Sequence, residues 1–322
     1  MLAKTLFPTT LKRNDKLKFD VFYYCYALMF TFFDIHTHIH QHDPGEIPDI
    51  LDRAANVGVN TIIVAGVNIK DSENCIKLSK EYKQIFAGVG YHPTELHKPL
   101  THDQIKQLSK LASDPNVITI SEIGIDHQDY GNNRSESKDN ILIFQEDAFA
   151  AQIDIAIQKQ LPIVFHVREP KDNPHANSAW PTAIRVLKNV KNENLEGAAH
   201  YFQGDWKIAR ELINYGFYIS LAKPLLKLPH LQEVAIKAPI ENLVLETDAY
   251  PQPFKKNRKN WTEPREIPII ARKLAELRKV SLEQIAEKTL GNSLKLFPPN
   301  PIGSGKNIGS SLEFDYQFKT KT

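Results

Sequence analysis

Chemistry is concentrated in one short stretch, Phe33-Asp34-Ile35-His36-Thr37-His38. It closes a run of β-branched and aromatic residues and so reads as the end of a strand. Side chains alternate along a strand, which puts Asp34, His36 and His38 on one face. Two imidazoles at that spacing can chelate a single cation, and the neighbouring carboxylate can orient or join them. A bare His-x-His is equally compatible with hydrogen-bonded core histidines, so the spacing alone leaves both readings open.

The remaining polar residues extend the pattern. A third apolar run ends in Gly90-Tyr91-His92-Pro93, and a fourth carries Glu122 within Ser121-Glu122-Ile123-Gly124-Ile125-Asp126. A fifth carries His166 and is followed by Arg168, a sixth carries His200, and an eighth ends in Glu246-Thr247-Asp248. A carboxylate or imidazole inside an apolar strand costs several kcal/mol unless it is paired or bound to a metal. Four imidazoles and two carboxylates without a thiolate suit Zn, Mn, Co, Ni or Fe, and Mg if water and substrate oxygens complete its shell. Such a set exceeds what one tetrahedral ion uses, which points to two ions roughly 3.5–4 Å apart. Glu122, midway between the first histidine pair and the later ligands, is the expected bridge.

The elements that must position these groups alternate in texture. Strand-like runs are expected at Phe30–Ile39, Thr61–Val67, Ile85–Tyr91, Val117–Ile125, Leu161–Val167, Gly197–Phe202, Phe217–Leu221 and Asn242–Asp248. Between them, helical spacing of apolar residues marks Ile47–Val57, Ser72–Gln84, His102–Ser113, Ile141–Gln160, Pro181–Val190, Lys207–Tyr215 and Leu231–Lys237, with Pro264–Leu277 and Ser281–Phe297 after the last strand. Nearly all-apolar strands alternating with helices predict a (β/α)8 TIM-type barrel, whose active sites lie at the C-terminal ends of the strands. A doubly wound sheet would normally carry a Gly-rich phosphate loop after its first strand, where this chain has His and Asp.

Composition sets the limits. The 322 residues are 42% hydrophobic and 24% charged with a net charge of +2, ordinary for a globular protein, so any phosphate binding has to be local. Two cysteines, Cys25 and Cys75, are too few for a disulfide framework and suit a reducing compartment. Lysines and Arg13 precede an apolar run from Val21 to Phe33 that is too short to span a bilayer and ends in the His-x-His strand. Residues 1–28 are therefore expected to be a dispensable extension, residues 29–298 the barrel, residues 299–322 a Gly/Ser-containing flexible tail, and the location cytoplasmic. No stable protein partner is expected.

Taken together, FDIHTH, GVGYHP, SEIGID, LPIVFHVR, HYFQG, GFYIS, LVLETD and GNSLKLF, in that order from residue 33 to 297, resemble the TatD-family metal-dependent hydrolases, amidohydrolase-like barrels that include deoxyribonucleases. The chain differs from the commoner pattern at Ser121, Tyr201 and Ala249-Tyr250. The resemblance implies that His36, His38, Glu122, His166, His200 and Asp248 hold two divalent ions (Zn, Mg or Mn). It also implies that Asp248 is the acid/base for the water proton.

On this reading the enzyme hydrolyses phosphodiester bonds, and the resemblance points to a 3′-to-5′ DNA exonuclease. Glu122 and Asp248 serve the chemistry, and Arg168 and His92 are the expected phosphate contacts. Lys255-Lys256-Asn257-Arg258-Lys259 with Trp261 offers a basic, aromatic loop of a kind that follows a nucleic-acid backbone. Tyr91, Tyr201 and Tyr250 are further rings that can stack on a base or simply pack. Two rival readings are an amidohydrolase acting on a small amide, ester or lactone, and a binding protein that keeps the metal site without catalysis.

Overall fold

The computed structural model describes residues 30–128, 137–173, 178–190 and 194–297. The expected extension 1–28 and tail 299–322 lie outside the described residues. Eight parallel strands form one sheet in sequential order. They are β1 (Phe32–Thr37), β2 (Val59–Ala65), β3 (Ile85–Val89), β4 (Val117–Asp126), β5 (Ile163–Arg168), β6 (Gly197–Ala199), β7 (Tyr218–Leu221) and β8 (Leu243–Leu245). Between them lie α1 (Ile47–Ala55), α2 (Ile69–Glu81), α3 (His102–Leu111), α4 (Lys138–Lys159), α5 (Ala179–Val190), α6 (Trp206–Asn214) and α7 (Pro229–Lys237), with α8 (Ile267–Arg278) and α9 (Leu282–Leu296) after β8. The expected barrel is the one observed.

Each strand sends at least one apolar residue to a common interior cluster. It comprises Phe33 and Ile35, Ile63, Phe86, Ile118, Val164, Ala198, Tyr218 and Val244, stoppered by Leu296 and Phe297 at the end of α9. Filling the lower barrel with side chains confines polar groups to its upper mouth. A larger cluster packs the outer strand faces against the helices. Several helices start on side-chain caps that satisfy orphan N–H groups, with full capping boxes at Thr101/Gln104 of α3 and Ser281/Gln284 of α9.

Several strands are shorter than the sequence suggests, and two of the early stops bear on the site. β6 stops at Ala199 and β8 at Leu245, so His200 and Glu246–Asp248 lie just past the regular ladder. The chain turns there through left-handed residues, Tyr201 at φ 42° and Asp248 at φ 51°. Strict alternation also fails in β1, whose pairing with β2 is irregular between Asp34 and Thr37. The barrel closes through residues flanking the expected ligands: His38 N–H donates to Ala249 O (2.7 Å) and Asp248 N–H to His36 O (3.0 Å). Among the described residues no helix is long and apolar enough to cross a membrane.

Candidate metal centre

The carboxylate of Glu122 is the hub. Its Oε1 lies 2.9 Å from His166 Nδ1, 3.0 Å from His200 Nε2 and 3.2 Å from His92 Nε2. Its Oε2 lies 3.1 Å from His38 Nε2 and 3.5 Å from His36 Nε2. The Nε2 atoms of His36 and His38 are 3.2 Å apart, and Asp248 Oδ1 is 3.6 Å from that of His38. Donor atoms of three overlapping trios, His36/His38/Asp248, His36/Glu122/His200 and His92/Glu122/His166, each lie within 4.8 Å of one another.

Close approach of β4 to β5 makes this possible. Gly124 faces His166 across the ladder, and a Cβ there would lie 2.0 Å from the His166 carbonyl oxygen. Its φ of 138° is also a conformation that other residues rarely adopt.

The outer nitrogens decide which way each imidazole presents itself. His38 Nδ1 donates to the Ala65 carbonyl (2.9 Å), which can only accept. His200 Nδ1 is held by Glu246 Oε1 (2.8 Å) and His166 Nε2 by Asp126 Oδ2 (3.0 Å). When neutral, each of these rings therefore aims a lone pair at the centre. A metal-binding histidine needs that arrangement, with an oxygen orienting the far nitrogen. His92 is different. Its Nδ1 accepts from the Thr94 N–H (3.1 Å) and lies 2.6 Å from Thr94 Oγ1, so the neutral ring carries its proton on Nε2, facing Glu122.

The electrostatics favour positive charge between these groups. Burial disfavours the His200 cation, yet Glu246 and Glu122 raise its pKa well above the ordinary value. His38 and His166 are likewise raised, against burial, by Glu122 together with Asp248 and Asp126 respectively. Burial and the charge on His200 push His36 down to about 3, so not every ring can be protonated at once. Burial would raise Glu122, but the surrounding imidazoles hold it well below the carboxylate range. Asp248 is pushed up to about 6, chiefly by burial. A buried cluster of lone pairs and carboxylates that attracts protons this strongly fits divalent cations.

The structure thus brings together His36, His38, Glu122, His166, His200 and Asp248, and adds His92 to them. Asp34 does not join: it accepts from the Thr247 N–H (3.0 Å) and hydroxyl, and burial raises its pKa well above normal. Arg168 ends β5 and lines a cavity continuous with His166 and His200. Tyr91 is buried and its hydroxyl accepts from Gln104, whereas Tyr201 is half-buried with its ring 6.0 Å from that of His200.

The basic loop after β8 behaves differently from its sequence. Arg258 stacks on Trp261 (4.4 Å) and pairs with Glu263 (2.9 Å) and Glu46 (3.4 Å). The Lys255 ammonium is bound by Gln252 and the Asn260 carbonyl. Arg258, Lys255 and Trp261 are thus tied into the loop, while Lys256 and Lys259 are exposed, as are the rings of Tyr250, at 36%, and Phe254, at 69%. Sequence reading also passed over Asp126, Glu246 and Thr94 as orienting groups. The signal was there for the two acids, since each is a carboxylate in or just after an apolar strand.

Residues 33–298 match the family model described as TatD related DNase. The chain belongs to the TatD-related DNase family. Among curated relatives, an uncharacterized metal-dependent hydrolase of Bacillus subtilis, YabD, is 29% identical over 83% of this chain and 99% of its own length. A Salmonella typhimurium protein named 3′-5′ ssDNA/RNA exonuclease TatD is also 29% identical, over 77% of this chain and 92% of its own. The crystal structure of YjjV, a TatD homolog from Escherichia coli, superposes with a TM-score of 0.68 at 24% identity, covering 82% of this chain and 97% of that one. The chain is a TatD-family metal-dependent hydrolase.

Proposed function

We propose that this hydrolase removes nucleotides from the 3′ end of single-stranded DNA, using two divalent ions held by His36, His38, Glu122, His166, His200 and Asp248. The carrying observation is the set of inward-facing imidazole nitrogens around Glu122, with both carboxylate oxygens engaged on opposite sides. The Salmonella relative's name supplies the substrate class. The ions, when bound, lower the pKa of a water and offset charge on the phosphoryl oxygens.

The chain's own groups do the rest. Asp248, beside the His38 ring at the mouth, accepts the proton of the attacking water on a carboxylate oxygen and returns it to the leaving 3′ oxygen. With substrate bound, the His92 Nε2 proton, which faces Glu122 Oε1 in this structure, turns to a nonbridging phosphate oxygen, where charge builds up. Arg168 offers the phosphate a planar fork from the end of β5. Two isolated cysteines, of which Cys75 is buried and free, support a cytoplasmic setting.

The test is turnover of a 3′-labelled single strand by protein loaded in turn with Mg, Mn or Zn, with His166→Ala as control. Cleavage that depends on His166, without turnover of simple esters or amides, is the expected result. Ester or amide turnover alone would replace this reading with a carbonyl hydrolase.

A further inference from the structure

A cavity of about 1020 Å³ opens from the metal centre and runs outward between α5 and α6. His166 and His200 form its inner end, and Lys188 of α5 and Glu211 of α6 lie on its walls. It lies beside β5 and β6, away from the basic loop that follows β8.

Charges along this cavity are mostly committed. Glu169 is consumed as the cap of α5, accepting from the N–H groups of Ser178, Ala179 and Trp180. Asp205 caps α6 through the Ile208 N–H. Glu211 pairs with Lys188 (2.9 Å), and Arg185 is drawn to Glu146 on α4 (2.7 Å). Lys171 and Lys207 remain, both exposed on the cavity wall and neither drawn to a wall carboxylate. The wall's cationic side chains, Arg168, Lys171, Arg185, Lys188 and Lys207, outnumber its carboxylates, Glu169, Asp205 and Glu211, which gives the cavity a local positive field that the chain's near-neutral total conceals.

We infer that this cavity is the track for the strand next to the scissile bond, with Lys171 and Lys207 each pairing with a backbone phosphate and Tyr201 stacking on a base at the junction with the metal centre. The inference rests on the nuclease reading and extends it to a path and a form of substrate. Three features fit a single strand. Its volume is at the top of the range for small-ligand pockets, too little for a duplex. Cations lining the cavity can follow a backbone regardless of sequence, and an aromatic ring accepts any base face. Tyr201 is set there by a left-handed turn directly after His200, with its backbone N–H held by Glu246 (2.7 Å).

The experiment compares two paired variants, Lys171→Gln/Lys207→Gln and Lys256→Gln/Lys259→Gln, each in the metal-loaded full chain. Binding of a fluorescein-labelled oligothymidylate of about a dozen nucleotides is followed by anisotropy across a salt series, and cleavage kinetics are measured alongside. Loss of two phosphate contacts on a single strand should flatten the slope of log K against log salt by about 1.4. The first pair should show that change, and a rise in KM that grows with oligonucleotide length while kcat holds. Tyr201→Leu should weaken binding with no change in salt slope, and Tyr201→Phe should restore it. An unchanged slope in the first pair, or the change appearing in the Lys256/Lys259 pair instead, overturns the track. Wild type that binds the oligomer yet cleaves no phosphodiester rejects the nuclease reading separately, and wild type that does not bind it overturns both.

Discussion

His92 Nε2 sits 3.2 Å from Glu122 Oε1, yet it faces that oxygen with a proton while the rings of His38, His166 and His200 face the centre with lone pairs. The difference originates two residues away, where the Thr94 N–H claims His92 Nδ1. One tautomer makes a metal ligand and the other makes a hydrogen-bond donor.

His92→Ala should therefore leave the metal content of the purified protein unchanged by elemental analysis. Its kcat should fall by about 10²–10³-fold, the usual loss for one donor to a developing charge. Loss of one equivalent of metal would show that His92 is a ligand instead.

Asp248→Asn keeps the shape of the side chain but removes its basicity. Activity with metal restored should drop by about 10²–10⁴-fold, the ordinary contribution of a positioned acid/base. Oligonucleotide affinity should change far less than turnover, and equal losses in both would recast Asp248 as a binding group. A protein that only bound its ligand would lose neither.

Gly124→Ala tests the β4–β5 approach. The left-handed backbone alone costs about 1–3 kcal/mol in an L-residue, and the new methyl meets the His166 carbonyl besides. Thermal denaturation should show a lowered Tm, and the variant should bind metal weakly because His166 is displaced from Glu122. A variant with unchanged Tm would mean that β4 and β5 can separate at no cost.

Glu263 offers a pH-dependent prediction far from the metal. It is buried and receives Arg53 (2.8 Å), Arg258 (2.9 Å) and Arg265 (3.1 Å). Burial disfavours its carboxylate, but the arginines more than offset that and lower its pKa. The unfolded value is about 4.3, so the stabilisation is complete above that pH and is lost as pH falls through the lower folded value. Glu263→Gln should be less stable than wild type by about 1–3 kcal/mol at pH 7, by urea denaturation, the half-exposed arginines tempering the loss. The gap should narrow as pH falls below about 4.3; one that does not change with pH would assign the effect to packing.

How far these features could be read in advance depended on whether they were local. The strand order and barrel were legible because apolar runs and helical spacing are short-range signals. The candidate ligands were legible because Glu122 or His166 in an apolar strand is conspicuous wherever the strand goes. Exact strand ends were not, since β6 and β8 stop where the chain turns left-handed at Tyr201 and Asp248. The loop at 255–261 shows the opposite limit. Its Arg258 reads from sequence as one more free cation, whereas Glu46, more than two hundred positions earlier, pairs with it. Alternation along β1 placed Asp34 beside the imidazoles, whereas an irregular pairing with β2 and the Thr247 hydroxyl lead it elsewhere.

The seam between β1 and β8 has a consequence for biosynthesis. His36 and Asp248 are joined there by a backbone hydrogen bond, so the earliest and latest ligands to emerge from the ribosome also zip the barrel shut. A nascent chain that ends before β8 lacks Asp248 and leaves the sheet open. The complete donor set and the finished fold therefore arrive together.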